Sequence, residues 1–109
     1  GNLMYTLYID DLRTPVSDYD YITRSYDETI ELIKNKGAPM FISFDHDLGE
    51  KNNKILKTGM DIAKWIVDSD LKNDISLPNE FHFKVHSQNP VGKKNIESLL
   101  VSYLRHKLK

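Results

Sequence analysis

The stretch Met40-Phe41-Ile42-Ser43-Phe44-Asp45-His46-Asp47-Leu48-Gly49 decides the fold. Its first five residues are apolar except for Ser43, too few for a helix, and they run from Pro39 into a polar cluster. A short apolar run bounded in this way reads as a buried central strand. The strand delivers Asp45, His46 and Asp47 together at its carboxyl end.

Upstream, residues 3–9 are rich in β-branched and aromatic side chains and stop at Asp10 and Asp11, ahead of Arg13, Thr14 and Pro15. This is a first strand running into a loop. Residues 19–23 form a shorter β-prone run, and Ser25 and Glu28 then stand at the spacing of a capping box. The helix that follows presents Ile30, Leu32 and Ile33, and Lys34, Lys36 and Gly37 supply its stop.

Downstream, residues 50–57 are polar and read as a loop. Thr58 caps a helix in which Met60, Ala63, Ile66 and Val67 recur at helical spacing, with its end expected near Asp70. A connector containing Pro78 leads to Phe81, Phe83 and Val85, which alternate with His82, Lys84 and His86 as in an edge strand. Asn89 and Pro90 fit an N-cap and a first-turn proline, opening a helix whose Ile96, Leu99, Leu100, Tyr103, Leu104 and Leu108 form one apolar stripe. Strands alternating with helices favour a mostly parallel sheet. The expectation is one α/β domain over residues 1–109, a flavodoxin-like three-layer sandwich with four strands in the order 2-1-3-4 and helices on both faces.

Composition narrows the function classes. At 109 residues the chain has room for one ordinary core, and 39% hydrophobic with 28% charged residues is a globular composition, not a disordered or membrane one. With no spanning apolar run and no signal-peptide pattern at the start, the protein is expected in the cytoplasm and off the membrane. Zero cysteines exclude disulfides and thiolate metal sites, so any metal must be held by oxygen or imidazole. A formal net charge of -1 gives no global basic field for nucleic acid. The last helix is basic, through Lys93, Lys94, Arg105, Lys107 and Lys109, with a solvated face as the simpler explanation.

In an open α/β sheet, ligands bind beyond the carboxyl ends of the strands. Those ends carry Asp10 and Asp11, then Asp45, His46 and Asp47, then His86, Ser87 and Asn89. Converging carboxylates raise one another's pKa unless a cation intervenes, and a cysteine-free oxygen set suits Mg2+ or Mn2+ better than zinc. Asp10, Asp11, Asp45 and Asp47 are therefore the candidate metal ligands; the alternative is that Asp10 and Asp47 cap turns or pair with Arg13. His46 and His86 could work as base and acid on opposite sides of a phosphate, with Asp45 beside them, although each taken alone could be structural. Arg13, Ser87, Asn89 and Gly92 are the candidate phosphate ligands, the last three because a helix N-terminus attracts anions. A plain N-cap would also explain Asn89. His82 and His106 are placed on the surface.

Three segments, Tyr8-Ile9-Asp10-Asp11-Leu12-Arg13-Thr14-Pro15, Ser43-Phe44-Asp45-His46-Asp47-Leu48-Gly49 and His86-Ser87-Gln88-Asn89-Pro90-Val91-Gly92, together resemble the cyclic-phosphate-processing receiver-like family, over nearly the whole chain. That family is similar to response-regulator receiver domains, which carry an acidic magnesium site. The resemblance implies that Asp10 and Asp11 match the receiver metal pair, Asp45 the phosphoacceptor and Ser87 the hydroxyl residue. The receiver lysine has no match, and one long helix after Ser87 leaves no fifth strand. The implied substrate is a phosphate-containing small molecule or an RNA end, with a non-enzymatic metal- or phosphate-binding module as the rival.

Overall fold

The computed structural model describes residues 4–107, so Leu3, Leu108 and Lys109 lie outside the described residues. Four strands, β1 (Thr6–Ile9), β2 (Tyr21–Thr23), β3 (Phe41–Phe44) and β6 (His82–Val85), form a parallel sheet in the order β2-β1-β3-β6. The helices are α1 (Tyr26–Lys36), α2 (Gly59–Leu71) and α3 (Pro90–Lys107). The expected order 2-1-3-4 holds, with β6 as its fourth strand. Among the described residues no helix is long and apolar enough to cross a membrane.

The helix boundaries have local causes. The Ser25 hydroxyl accepts from the Glu28 amide at 3.1 Å, while the Glu28 carboxylate turns back one residue further and accepts from the Arg24 amide at 2.7 Å. Gly37 ends α1 at φ 86°, in the left-handed region that costs glycine nothing. Thr58 and Asp61 form a reciprocal capping box on α2. On α3 the Asn89 side chain accepts from the Gly92 amide at 2.9 Å.

Two expectations are corrected. The segment over residues 50–57 contains a small hairpin, β4 (Glu50–Lys51) and β5 (Lys54–Ile55), paired antiparallel and turned by Asn52 and Asn53 at φ 55° and 63°. Two successive left-handed residues make the tight primed turn that suits a hairpin. Both strands are exposed, so no hydrophobic alternation marks them in the sequence.

The second correction concerns the layers. Leu7, Ile9, Ile42, Phe44 and Val85 pack in one core with Ile33 of α1, Ile62 and Ile66 of α2, and Ile96 and Leu100 of α3, so the helices share one face of the sheet and do not cover both. Handedness explains this. The β2-α1-β3 and β3-α2-β6 crossovers step the same way across the sheet, and right-handed connections then place α1 and α2 on the same side. Only the β1-to-β2 link steps the other way, and it contains no helix. The opposite face presents Tyr8, Phe41, Ser43, His82 and Lys84, with Tyr19 of that link stacked near Phe41.

Candidate functional site

Asp10 follows β1 and is 1% exposed. One carboxylate oxygen accepts the amides of Leu12 at 2.9 Å and Arg13 at 2.8 Å, and the other faces His86 Nε2 at 3.0 Å. Burial works to raise its pKa, but the two amides and His86 outweigh that and hold it below the ordinary carboxylate range. The anion is thus buried with a hydrogen-bond partner on each oxygen. Arg24 fixes the loop from beneath by donating to the carbonyls of Asp10 and Arg13.

His86 stands one residue beyond β6, its amide still bonded to the Phe44 carbonyl at 2.9 Å. Its ring stacks on Tyr8 with centroids 4.4 Å apart and planes within 4°. Nδ1 lies 2.7 Å from the hydroxyl of Ser43, a residue 0% exposed. With an ionised Asp10 on Nε2, that nitrogen carries the proton, and a neutral ring then accepts from Ser43 at Nδ1.

Asp45 follows β3 beside this pair. Burial, followed by the charge of Asp10, pushes its carboxyl pKa up. Asp10, Asp45 and His86 each offer a ligand atom, and these atoms lie within 4.8 Å of one another. Asp10 and Asp45 open into a cavity of about 570 Å³ that Asp11, Arg13, Asp47, Ser87 and Asn89 also line. Gly49, at φ 98°, brings the chain back toward Asp11 at the entrance to the hairpin.

His46 does not line this cavity. Its ring packs on α3, where a Cβ at Gly92 would meet His46 Cγ at 2.3 Å, and its Nδ1 lies 2.8 Å from Asp47. Asp47 is shared between His46 and the Asn89 amide group, and the His46 hydrogen bond, against slight burial, lowers its pKa. Gly92 is likewise turned inward, its amide spent on the Asn89 cap. Ser87 accepts from the Asn89 amide at 3.0 Å. The residues singled out in the sequence therefore divide: Asp10, Asp11, Asp45, Asp47, Arg13, Ser87 and Asn89 line one cavity, His86 reaches its Asp10 from the side, and His46 and Gly92 form the packing behind it. His82 and His106 are exposed.

Sequence reasoning passed over Ser43, Tyr8 and Arg24. Ser43 had a signal, the one polar residue in a central strand. Its parity sets it on the face opposite Ile42 and Phe44, where the His86 ring comes to rest. Arg24 had none, because its contacts are to backbone carbonyls of a distant loop.

The carboxylates of Asp10 and Asp45 converge beside His86, with Asp11 and Asp47 lining the same cavity, an oxygen-rich set that fits a metal ion. No curated protein and no solved structure matches the chain. The cyclic-phosphate processing receiver domain matches residues 5–102, a span that takes in the whole sheet, the acidic cavity and most of α3, and the chain belongs to that family.

Proposed function

We propose that the domain binds Mg2+ or Mn2+ through Asp10 and Asp45, with Asp11 and Asp47 at hand, and hydrolyses or transfers a phosphate ester, a cyclic nucleotide or an RNA-end cyclic phosphate. The observation that carries this reading is the convergence of Asp10, Asp45 and His86 within 4.8 Å at adjacent strand ends, in a chain of this family. A bound cation would neutralise the carboxylates and polarise a phosphoryl oxygen.

The chain's own groups have distinct tasks. Asp45 has one oxygen occupied by the His46 amide at 2.8 Å, leaving the other for ligand. His86, oriented by Asp10 and Ser43, holds or moves a proton at Nε2. Arg13, Ser87 and Asn89 line the cavity where the phosphate would rest. His46 acts through Asp47, which it holds at the rim, and does not meet the phosphate.

The experiment combines melting curves in millimolar Mg2+ or Mn2+ with turnover assays on 2′,3′-cyclic nucleotides and cyclic-ended RNA. A Tm that rises with ion concentration, absent in Asp10→Asn, supports the cation. His86→Ala is expected to cost on the order of 10²-fold in turnover, and a loss below about tenfold removes its role. One observation favours the rival reading of a binding module: no imidazole is among the described residues lining the acidic cavity, and His86 meets it only through Asp10, so a two-histidine acid-base pair is missing. Ion and phosphate binding with no turnover on any of these substrates is that reading's signature.

A further inference from the structure

The sheet face that lacks helices holds a second cavity, of about 360 Å³, beneath the link between β1 and β2. Arg13 lines both cavities, and His86, bonded to Asp10 in the first, forms part of the wall of the second. Their chemistry is opposite. The acidic cavity collects four aspartates, whereas the second is lined by Arg13, Lys84 and His86 and by no carboxylate among the described residues.

Tyr8 is the independent sign of a ligand. It is 7% exposed and stands outside the main hydrophobic core, clamped between His86 and Tyr19. Among the described residues its hydroxyl has no hydrogen-bond partner, and it is not among fully buried orphan atoms, so it reaches the cavity. A mostly buried phenol whose O–H opens on a cavity lined by Arg13 and Lys84 is placed to donate to an anion held there. Arg13 is set in place by its own backbone, its amide on Asp10 and its carbonyl on Arg24.

We propose that the Tyr8, Arg13 and Lys84 cavity is a second anion subsite, which holds a second phosphate group of the same ester whose reacting phosphate lies at Asp10 and Asp45. This rests on the phosphate-ester reading above and narrows its substrate class. The ligand carries two phosphates joined by a sugar-sized body, as in a nucleoside cyclic phosphate that also bears a 5′-phosphate, or at the end of an oligonucleotide. Arg13, shared by the two cavities, bridges the groups with its planar fork of donors, and Lys84 adds a point charge.

The test uses the full chain, free of divalent metal, titrated with inorganic phosphate at constant ionic strength and followed by amide chemical shifts. Saturable shifts at Tyr8, Arg13 and Lys84 are expected, with affinity weakened about tenfold in Lys84→Gln, the loss of one charge-assisted contact. Lys84 is exposed, so that variant keeps the fold. With Mg2+ present, a 5′-phosphate on a nucleoside 2′,3′-cyclic phosphate should tighten binding in the wild type and not in Lys84→Gln; a dinucleotide that gains as much places the source in RNA ends. Phosphate shifts confined to the α3 start, or unchanged in Lys84→Gln, overturn the subsite. Mg2+ shifts at Asp10 and Asp45 are read separately, so their absence defeats the cation reading while saturation at Lys84 upholds the subsite.

Discussion

His86 reaches across a strand to Asp10. The two residues follow β6 and β1, which are not neighbours, and the imidazole spans β3 between them with Nε2 3.0 Å from the Asp10 carboxylate and Nδ1 2.7 Å from Ser43 of β3. Three strand ends are thereby tied by one ring. The cost of burying the Asp10 charge is offset by two backbone amides and this imidazole, and that leaves Asp45 as the carboxyl lacking counter-charge.

Asp45→Asn should stabilise the metal-free protein at neutral pH. The folded pKa of Asp45 lies above its ordinary value because of burial and the Asp10 charge, so its ionised form is disfavoured in the folded state as the pH rises through that folded value. The expected gain is about 0.5–1 kcal/mol, or roughly 3–6 °C in Tm, with solvent screening setting the small size. It should fade as the pH falls through about 4 and vanish below about pH 3, where aspartate is neutral in both states. Thermal melts of both proteins from acid to neutral pH decide this, and an unchanged or lower Tm at pH 7 contradicts the electrostatic account.

Asp70 should be the main fastener at the far end of the molecule. It accepts from the Leu77 amide at 2.9 Å and from the Tyr103 hydroxyl, and Lys107 Nζ lies 2.9 Å away, so α2, the connector and α3 meet on one carboxylate. Asp70→Ala is expected to cost about 2–4 kcal/mol, since it strands a buried amide and removes the carboxylate that Lys107 faces. Tyr103→Phe should cost about 1 kcal/mol. Chemical denaturation measures both.

The same carboxylate sets an acid limb. Burial works to raise the Asp70 pKa, but Tyr103, the Leu77 amide and Lys107 prevail and lower it. Its stabilisation is therefore complete above the unfolded value near pH 3.9 and is lost as the pH falls through the lower folded value. In Asp70→Asn the fall in stability between about pH 4 and pH 2 should be shallower than in the wild type. Parallel acid titrations of the two stability curves give the comparison.

Gly92→Ala should disturb His46, because the added methyl would sit 2.3 Å from its ring. Overpacking of this kind costs roughly 1–3 kcal/mol. Removing the ring relieves the clash, so Gly92→Ala combined with His46→Ala should be more stable than the sum of the two single losses by about 1 kcal/mol or more. A double-mutant cycle in denaturant reads that coupling. Strict additivity would mean that the ring and the methyl do not meet.

Acetyl phosphate should leave no stable label on Asp45. Receiver-type transfer needs a fixed cation beside the acceptor, and among the described residues lining the acidic cavity Arg13 is the cation present, with no lysine. Intact-mass measurement after treatment with acetyl phosphate and Mg2+ provides the check. A stoichiometric adduct that disappears in Asp45→Asn would restore the phosphorelay mechanism.

Local chemistry was enough for the parallel α/β architecture. The apolar run before Asp45, the alternation around Phe83 and the caps at Ser25, Thr58 and Asn89 are each readable from a few neighbouring residues, and all became the elements they signal. Placing acidic and polar groups at strand ends followed from the same reading, because a strand's end and a sheet's ligand edge coincide. The hairpin between β4 and β5 escaped it, since exposed strands leave no hydrophobic imprint and only the paired asparagines hint at the turn.

Everything that depends on which face or which neighbour was decided in three dimensions. The one-sided helical layer follows from the direction of each crossover, a property of strand order that no single segment contains. His46 and His86 read alike in the chain, each beside a strand end. Gly92 admits the first ring into the packing of α3, while Tyr8, Ser43 and Asp10, from two other strands, hold the second at the acidic cluster. Sequence proximity governs caps and periodicity, but a side chain's partners across a sheet are set by register and handedness, and that is why the residue types were legible and their division of labour was not.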